Sequence, residues 1–293
     1  MKEEAAVEWP ARNAIAPAPL AGTMTQPDRQ TYPPLNTLKA VSDDLWIVDG
    51  PLIEFGPPLL RMQFPTRMTV IRIGRELFIH SPTPLTSELR EEIAAIGEPQ
   101  WIIGPNRIHY WWIPEWCEAY PDAVAYLAPR IMDQAAGRLD RVSYRCRALA
   151  DRSGYAWDGT IDTLPVHGSY MSEIVFFHRA SRTLVLTDMI ENFEPQKLGL
   201  LARALTWFGG AQHPDGKMPR DMRLTYRARA AELRAAVDIM IGWDPARIIL
   251  AHGRWYERDG TNELRRAFRW LLNCPEFVGW AKRSVPTISR RSR

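Results

Sequence analysis

Three apolar runs in this 293-residue chain each deliver a chemically able side chain at their C-terminal end. Thr183-Leu184-Val185-Leu186-Thr187 runs into Asp188, Glu76-Leu77-Phe78-Ile79 into His80, and Arg247-Ile248-Ile249-Leu250-Ala251 into His252. A fourth run, Trp101-Ile102-Ile103, stops at Gly104. Runs this short and rich in β-branched residues read as buried strands rather than helices. In an α/β protein the edge beyond the strand ends is where loops converge over a rigid sheet. Asp188, His80 and His252 form the starting set, one carboxylate and two imidazoles. Together they offer oxygen and nitrogen donors without a thiolate.

The elements that must position them can be read in order. Residues 45–48 open the folded part as a strand, and Asp49-Gly50-Pro51 reads as a turn. Residues 68–73 and 77–79 are strands joined by the hairpin-length link Gly74-Arg75. A helix follows, with Thr86 as N-cap, Leu89, Ile93 and Ile96 on its apolar face, and Gly97 as its stop. Residues 101–103 and 123–127 are further strands, while residues 130–165 read as irregular. His167 to Glu173 reads as a loop. Residues 174–177 and 183–186 then make a second hairpin around His178-Arg179-Ala180-Ser181, where His178 caps the turn. Helical periodicity carries Leu198, Leu201 and Leu205, then Leu233, Val237, Met240 and Ile241. A last helix is expected after Thr261 as its cap. Two hairpin-bearing sheet halves, each with helices attached, predict an α/β sandwich rather than a strictly alternating doubly wound sheet.

Composition narrows the setting. No window approaches the roughly 18 uncharged apolar residues of a membrane helix, so no membrane partner is expected. The acidic start Met1-Lys2-Glu3-Glu4 lacks a secretory pattern. Three widely spaced cysteines (Cys117, Cys146, Cys274) make neither a disulfide framework nor a zinc-thiolate site, which points to the cytoplasm. The net charge of +3 comes from the end of the chain: residues 282–293 hold five of the 37 basic residues and no acid. The other 32 basic residues face 34 acids, a net charge of −2. Nucleic-acid binding would have to rest on that tail alone. The expected organisation is a mostly disordered Ala/Pro-rich lead over 1–37, one domain over 38–280, and a basic tail over 281–293.

Taken in order, a set of short stretches resembles a known family. They are Asp44-Leu45-Trp46-Ile47-Val48-Asp49-Gly50-Pro51, Pro65-Thr66-Arg67-Met68-Thr69-Val70, His80-Ser81-Pro82 and Gly104-Pro105-Asn106-Arg107-Ile108-His109. After them come His167-Gly168, Glu173-Ile174-Val175-Phe176-Phe177-His178-Arg179, Leu186-Thr187-Asp188 and Ala251-His252-Gly253. The chain resembles the DUF4336 proteins, a divergent branch of the metallo-β-lactamase superfamily, over residues 38–272. The resemblance implies a four-layer αββα sandwich with its site at the strand ends. It also shows a departure: the superfamily's HxHxDH motif is absent, and residues 105–110 keep only His109.

By the same resemblance, His109, His167, Asp188 and His252 would hold one divalent metal ion, Zn, Fe or Mn, with Asp188 and His252 in the places of the bridging aspartate and final histidine. Such an ion lowers the pKa of a bound water toward about 7 and supplies the nucleophile of a hydrolase. The strand ending at His80 corresponds to one that does not end in a ligand. His80 is therefore expected, like Glu173, beside the ligands rather than among them. Trp111 and Trp112 read either as the aromatic wall of a substrate pocket or as core packing. His213 lies in a loop and Asp49 reads as a turn residue. The alternative function is a non-catalytic small-molecule-binding protein on the same scaffold with metal binding lost. The partner expected in either case is a small-molecule substrate or ligand; oligomeric state is left open.

Overall fold

The computed structural model describes residues 30–56 and 61–274. The short apolar runs do become strands, and they sort into two sheets. The first joins β1 (Lys39–Ser42), β2 (Leu45–Phe55), β3 (Met62–Ile73), β4 (Glu76–His80), β5 (Glu98–Gly104), β6 (Val124–Leu127) and β7 (Cys146–Ala148), neighbours in that order. β1 to β4 pair antiparallel, and β4 to β7 pair parallel. The second sheet holds β8 (Ile161–His167), β9 (Ser172–His178), β10 (Thr183–Leu186) and β11 (Arg247–Leu250), in the order β11-β10-β9-β8.

Side-chain alternation along the second sheet sets the layers. Ile174, Phe176, Val185 and Ile249 pack into one core with the first sheet. Their neighbours Val175, Phe177, Leu184, Leu186, Ile248 and Leu250 pack the other way. There they meet Leu233, Val237 and Met240 of α6 (Ala230–Gly242) and Leu264 of α7 (Gly260–Ala267). Leu89 and Ile93 of α1 (Ser87–Ile96) and Trp116 of α2 (Ile113–Ala119) belong to the core of the first sheet. Shorter helices α3 (Ile131–Ala135), α4 (Leu200–Gly209), α5 (Arg220–Tyr226) and α8 (Arg269–Leu272) complete the set. The result is the expected αββα sandwich.

Local chemistry matches several readings and overturns others. Thr86 caps α1 by accepting from Leu89 N at 3.2 Å, and Gly97 ends it. A Cβ at Gly97 would lie 2.6 Å from Arg75 O, so the glycine allows close approach there. Asp49-Gly50-Pro51 is not a turn. It lies inside β2 at a register shift, and Asp49 is buried in an ion pair. Residues 161–165 are not irregular: they are β8, and His167 closes that strand instead of opening a loop. Thr261 does not cap α7; Asp259 holds that position, and the Thr261 hydroxyl donates to Asp244 Oδ1 at 2.8 Å. The predicted lead over 1–37 falls mostly outside the described residues. Its end, however, is packed, with Thr31 buried and its carbonyl accepting from Lys197 Nζ at 3.0 Å. The predicted tail over 281–293 also lies outside the described residues.

The long link ahead of β8 has an apolar anchor. Trp157 is fully buried, stacks on Tyr155 at 4.6 Å, and meets Phe78 edge-on at 5.0 Å. Its indole N–H donates to Thr163 Oγ1 at 2.9 Å. Trp157→Ala should cost about 3–5 kcal/mol, by the lost burial and the cavity left behind. Tyr144→Ala, at a residue 68% exposed, should stay within about 0.5 kcal/mol. Guanidinium denaturation of both variants measures the contrast.

Candidate functional site

The site forms where two parallel strands end together. β10 and β11 pair with Leu186 opposite Leu250. Two residues further along each chain stand Asp188 and His252, so the register itself sets them side by side. Asp188 Oδ1 lies 3.1 Å from His252 Nε2. The third member arrives from the other sheet. Beyond β5 the chain crosses to the start of β9, where Ile174 N donates to Pro105 O at 2.8 Å. It then turns back to place His109 Nε2 at 3.3 Å from Asp188 Oδ2 and 3.2 Å from His252 Nε2.

Each group is aimed by a second contact. His252 Nδ1 donates to Pro65 O at 2.7 Å, which in the neutral ring leaves Nε2 as a bare lone pair. His109 Nδ1 is paired with Ser81 Oγ at 2.7 Å. Ser81 itself holds a left-handed backbone (φ 52°) directly after His80. Asn106 makes the loop possible: its side-chain oxygen accepts from Ile108 N at 3.0 Å, an Asx turn. Its amide donates to Asp188 Oδ2 at 2.6 Å and to Thr187 Oγ1 at 2.9 Å. Glu173 fixes the backbone rather than the carboxylate. Its two oxygens accept from Thr187 N (2.7 Å), Asp188 N (2.8 Å) and Met189 N (3.1 Å).

Burial gives these contacts their weight. Asp188, His252 and His109 are 2, 3 and 8% exposed. Burial alone would raise the Asp188 carboxyl, but the facing His109 and His252 rings hold it well below the usual carboxylate range. Burial and the nearby Asp188 charge push Glu173 up to about 7, against the pull of its amide donors. Burial lowers His80 to about 3. Its Nε2 has no partner, and its ring lies edge-on to Phe176 at 5.5 Å.

Whether a metal ion fits can be judged from the three donors. A tetrahedral ion with bonds of about 2.0–2.1 Å sets its ligand atoms about 3.3 Å apart. The observed separations of 3.1, 3.2 and 3.3 Å match that spacing. A bare imidazole lone pair facing a carboxylate oxygen at 3.1 Å also calls for a cation or proton between them. The residues fit a divalent ion.

The structure thus gathers His109, Asp188 and His252 and leaves His167 outside. His167 ends β8, the edge strand two places from β10 in the sheet order, or about 9–10 Å away. His80 is not in that cluster, though it feels the charge of His109, and the next residue, Ser81, is paired with that ring. Trp111 and Trp112 are half-buried and line a cleft at His109 together with Ile53, Thr66, Ser81 and Pro82. Its cavity volume is about 10 Å³, room for about one water. His178 pairs with Ser181 inside its hairpin at 2.8 Å, in keeping with a turn role.

The description "Domain of unknown function (DUF4336)" matches residues 45–206. The chain belongs to the DUF4336 family. Comparison with curated protein sequences finds no match. Among solved structures, this DUF4336 protein is similar to a metallo-beta-lactamase from Pontibacter korlensis, with TM-score 0.53 and 9% identity over 81% of this chain and 99% of that one. It is also similar to the DIM-1 metallo-beta-lactamase exposed to ceftazidime (0.51; 11%; 80% and 96%). A third is the metal-soaked Flv1 flavodiiron core from Synechocystis sp. PCC6803 (0.52; 12%; 80% and 60%). At these identities the likeness establishes the metallo-β-lactamase fold of the DUF4336 chain.

Sequence reasoning missed two residues that matter here. Asn106 carried a signal, a Pro-Asn pair just past a strand end, where Asx turns form. Arg67 carried none. It is 3% exposed, and its Nη1 donates to Leu250 O (2.7 Å) and Gly253 O (2.9 Å), on either side of His252. Its Nε donates to Asp49 at 2.8 Å, and Lys39 reaches the same carboxylate at 2.7 Å.

Arg67→Met should destabilise the protein by about 3–5 kcal/mol, because it leaves two buried carbonyls without their donor and the buried Asp49 carboxylate with Lys39 alone; thermal or chemical denaturation measures it. His80 makes a pH prediction. Its folded pKa lies below the unfolded value, so below about pH 6.5 the unfolded chain binds a proton that the folded one refuses. Stability should therefore fall as pH drops toward 3, by about 1.4 kcal/mol per unit from this residue. His80→Gln should flatten the fall of chemical-denaturation stability between pH 7 and 4.

Proposed function

We propose that this DUF4336 protein holds one divalent metal ion, Zn, Fe or Mn, between His109, Asp188 and His252, and works as a hydrolase-like protein on a small-molecule substrate. The observation that carries the reading is the convergence of three buried ligand atoms at 3.1–3.3 Å, with the Nε2 of His252, whose Nδ1 proton is committed to Pro65 O, facing the Asp188 carboxylate. The fold it shares with metallo-beta-lactamases and a metal-soaked flavodiiron core supports the same reading. The ion would supply Lewis acidity in a site shielded from bulk water.

The chain's own groups do the rest. Ser81 and Pro65 O fix the two imidazole planes so that both Nε2 atoms face Asp188. Asn106 and Glu173 hold the carboxylate and its backbone. Trp111, Trp112 and Ile53 form an apolar wall over the cleft. A wall that leaves room for about one water restricts the substrate to a small molecule, or to one that displaces the indoles. That narrowness also favours a second reading, a protein on the same scaffold that binds a small ligand without turning it over.

Elemental analysis of the purified full chain tests the metal. About one equivalent is expected, retained by the unaltered protein and lost in both Asp188→Ala and His252→Ala. Absence of metal even after incubation with Zn, Mn and Fe(II) would falsify the proposal. Ser81→Ala and Glu173→Gln should keep the ion but weaken its affinity roughly 10–100-fold, as loss of a contact behind a ligand does. His167→Ala should leave the stoichiometry unchanged. Metal bound without hydrolysis across ester, lactam and phosphoester probes would favour the second reading.

A further inference from the structure

α4 turns its apolar side to solvent. Leu200, Leu201, Trp207 and Phe208 are 88, 61, 65 and 63% exposed, and Leu224 of α5 is 67% exposed. A helix docked on a core buries its apolar stripe, yet Thr206 is the residue of α4 that is buried. The Trp207 and Phe208 rings meet edge to face at 4.9 Å and form a block at the end of the helix. With Leu200, Arg203, Ala204 and Gln212 they line a shallow groove. None of these residues contacts the metal-site cluster.

The charge of the sequence that carries this face is one-sided. Residues 197–229 carry seven basic residues and two acids, and one of those acids, Asp215, is paired with Arg266 at 3.2 Å. Arg203, Arg220 and Arg227 are exposed and have no acidic partner among the described residues. Arg223 of α5 packs its guanidinium over Trp270 of α8, 4.5 Å from the ring centroid. The sequence beyond α8 adds five basic residues and no acid over 282–293.

These features select the occupant. A second copy docking face to face would bring two basic rims together, which is unfavourable. Exposed Leu, Phe and Trp with Arg203 in the same groove, Lys217 against the Gly210 cap of α4 and further basic residues in the adjoining sequence is the pattern of a helix lying in the headgroup region of an anionic bilayer. Stable anchoring of this kind takes two signals, an apolar insertion and a polybasic attraction; both are present. We propose that α4, with the basic residues that adjoin it, is a peripheral docking surface for anionic phospholipid. The protein then sits on a membrane without crossing it, in keeping with the absence among the described residues of any helix long and apolar enough to span one.

Co-sedimentation of the full chain with vesicles tests this, using phosphatidylcholine alone and phosphatidylcholine with about one-third phosphatidylglycerol. Binding to the anionic vesicles is expected, weakening as salt rises. Trp207→Ser with Phe208→Ser should lower the partition coefficient at least roughly tenfold with the melting temperature unchanged, since both rings are exposed. Arg203→Glu with Arg220→Glu should remove most of the preference for anionic lipid, at about fivefold per charge neutralised. Equal binding to both vesicle types, or paired variants that bind like the unaltered chain, would overturn the proposal. So would complete loss on deleting residues 282–293 alone, which would assign binding to the tail. A dimer dispersed by the Trp207/Phe208 variant, or capture by polyglutamate, with no vesicle binding in either case, would assign the face to a protein partner and overturn it too.

Discussion

A buried carboxylate governs this structure. Asp188 is 2% exposed, and an ionised carboxylate so far from water is tolerated only when its oxygens are met by donors or cations. Those groups come from two separate segments, Asn106 and His109 beyond β5 and His252 beyond β11, while Glu173 at the start of β9 accepts from the Asp188 backbone N–H and holds the chain in place. Each is useless to Asp188 unless its own element lies in the right place. The two sheets are thereby tied to a single register at the point where their cores run out.

That tie explains why the residues behind the site are as constrained as those within it. Arg67 reaches from β3 to the Leu250 and Gly253 carbonyls on either side of His252, and Asp49, which Lys39 also meets, balances its charge. Gly253 has φ +85°, and a Cβ there would fall 2.2 Å from Asn192 O. The strand end carrying His252 is clamped from both sides. Pro65 O, on the strand that carries Arg67, takes the Nδ1 proton and turns the ring. One antiparallel strand thus sets both the position and the tautomer of a residue nearly two hundred positions away.

Departure from the superfamily's histidine motif has a structural counterpart. Where the motif would stand, an Asx turn at Asn106 hands Asp188 an amide donor and then returns a single imidazole, His109. His167 stays on the edge strand. The site is therefore assembled around three donors rather than the larger set the resemblance implied. The apolar and aromatic wall at residues 108–112 leaves it nearly sealed.

Much of this was legible in one dimension. The strands delivering Asp188 and His252 were plain from their β-branched runs, and the equal offset of Leu186 to Asp188 and Leu250 to His252 already encoded their pairing, given parallel neighbours. The sandwich followed from the order of hairpins and helices, and the Thr86 cap and Gly97 stop from local backbone chemistry. What the chain could not state was anything that depends on which strands become neighbours. His167 closes β8 and is not among the three donors gathered, while Asp49 and Arg67, read as a turn acid and an unremarked cation, proved to be a buried pair. Glu173 was placed beside a ligand, but only the register of β9 against β10 shows that it grips the backbone amides. Local propensity fixes strands and caps through short-range sterics and hydrogen bonds. The meeting of Asp188, His109 and His252 depends on strand order, which the packing of two cores decides.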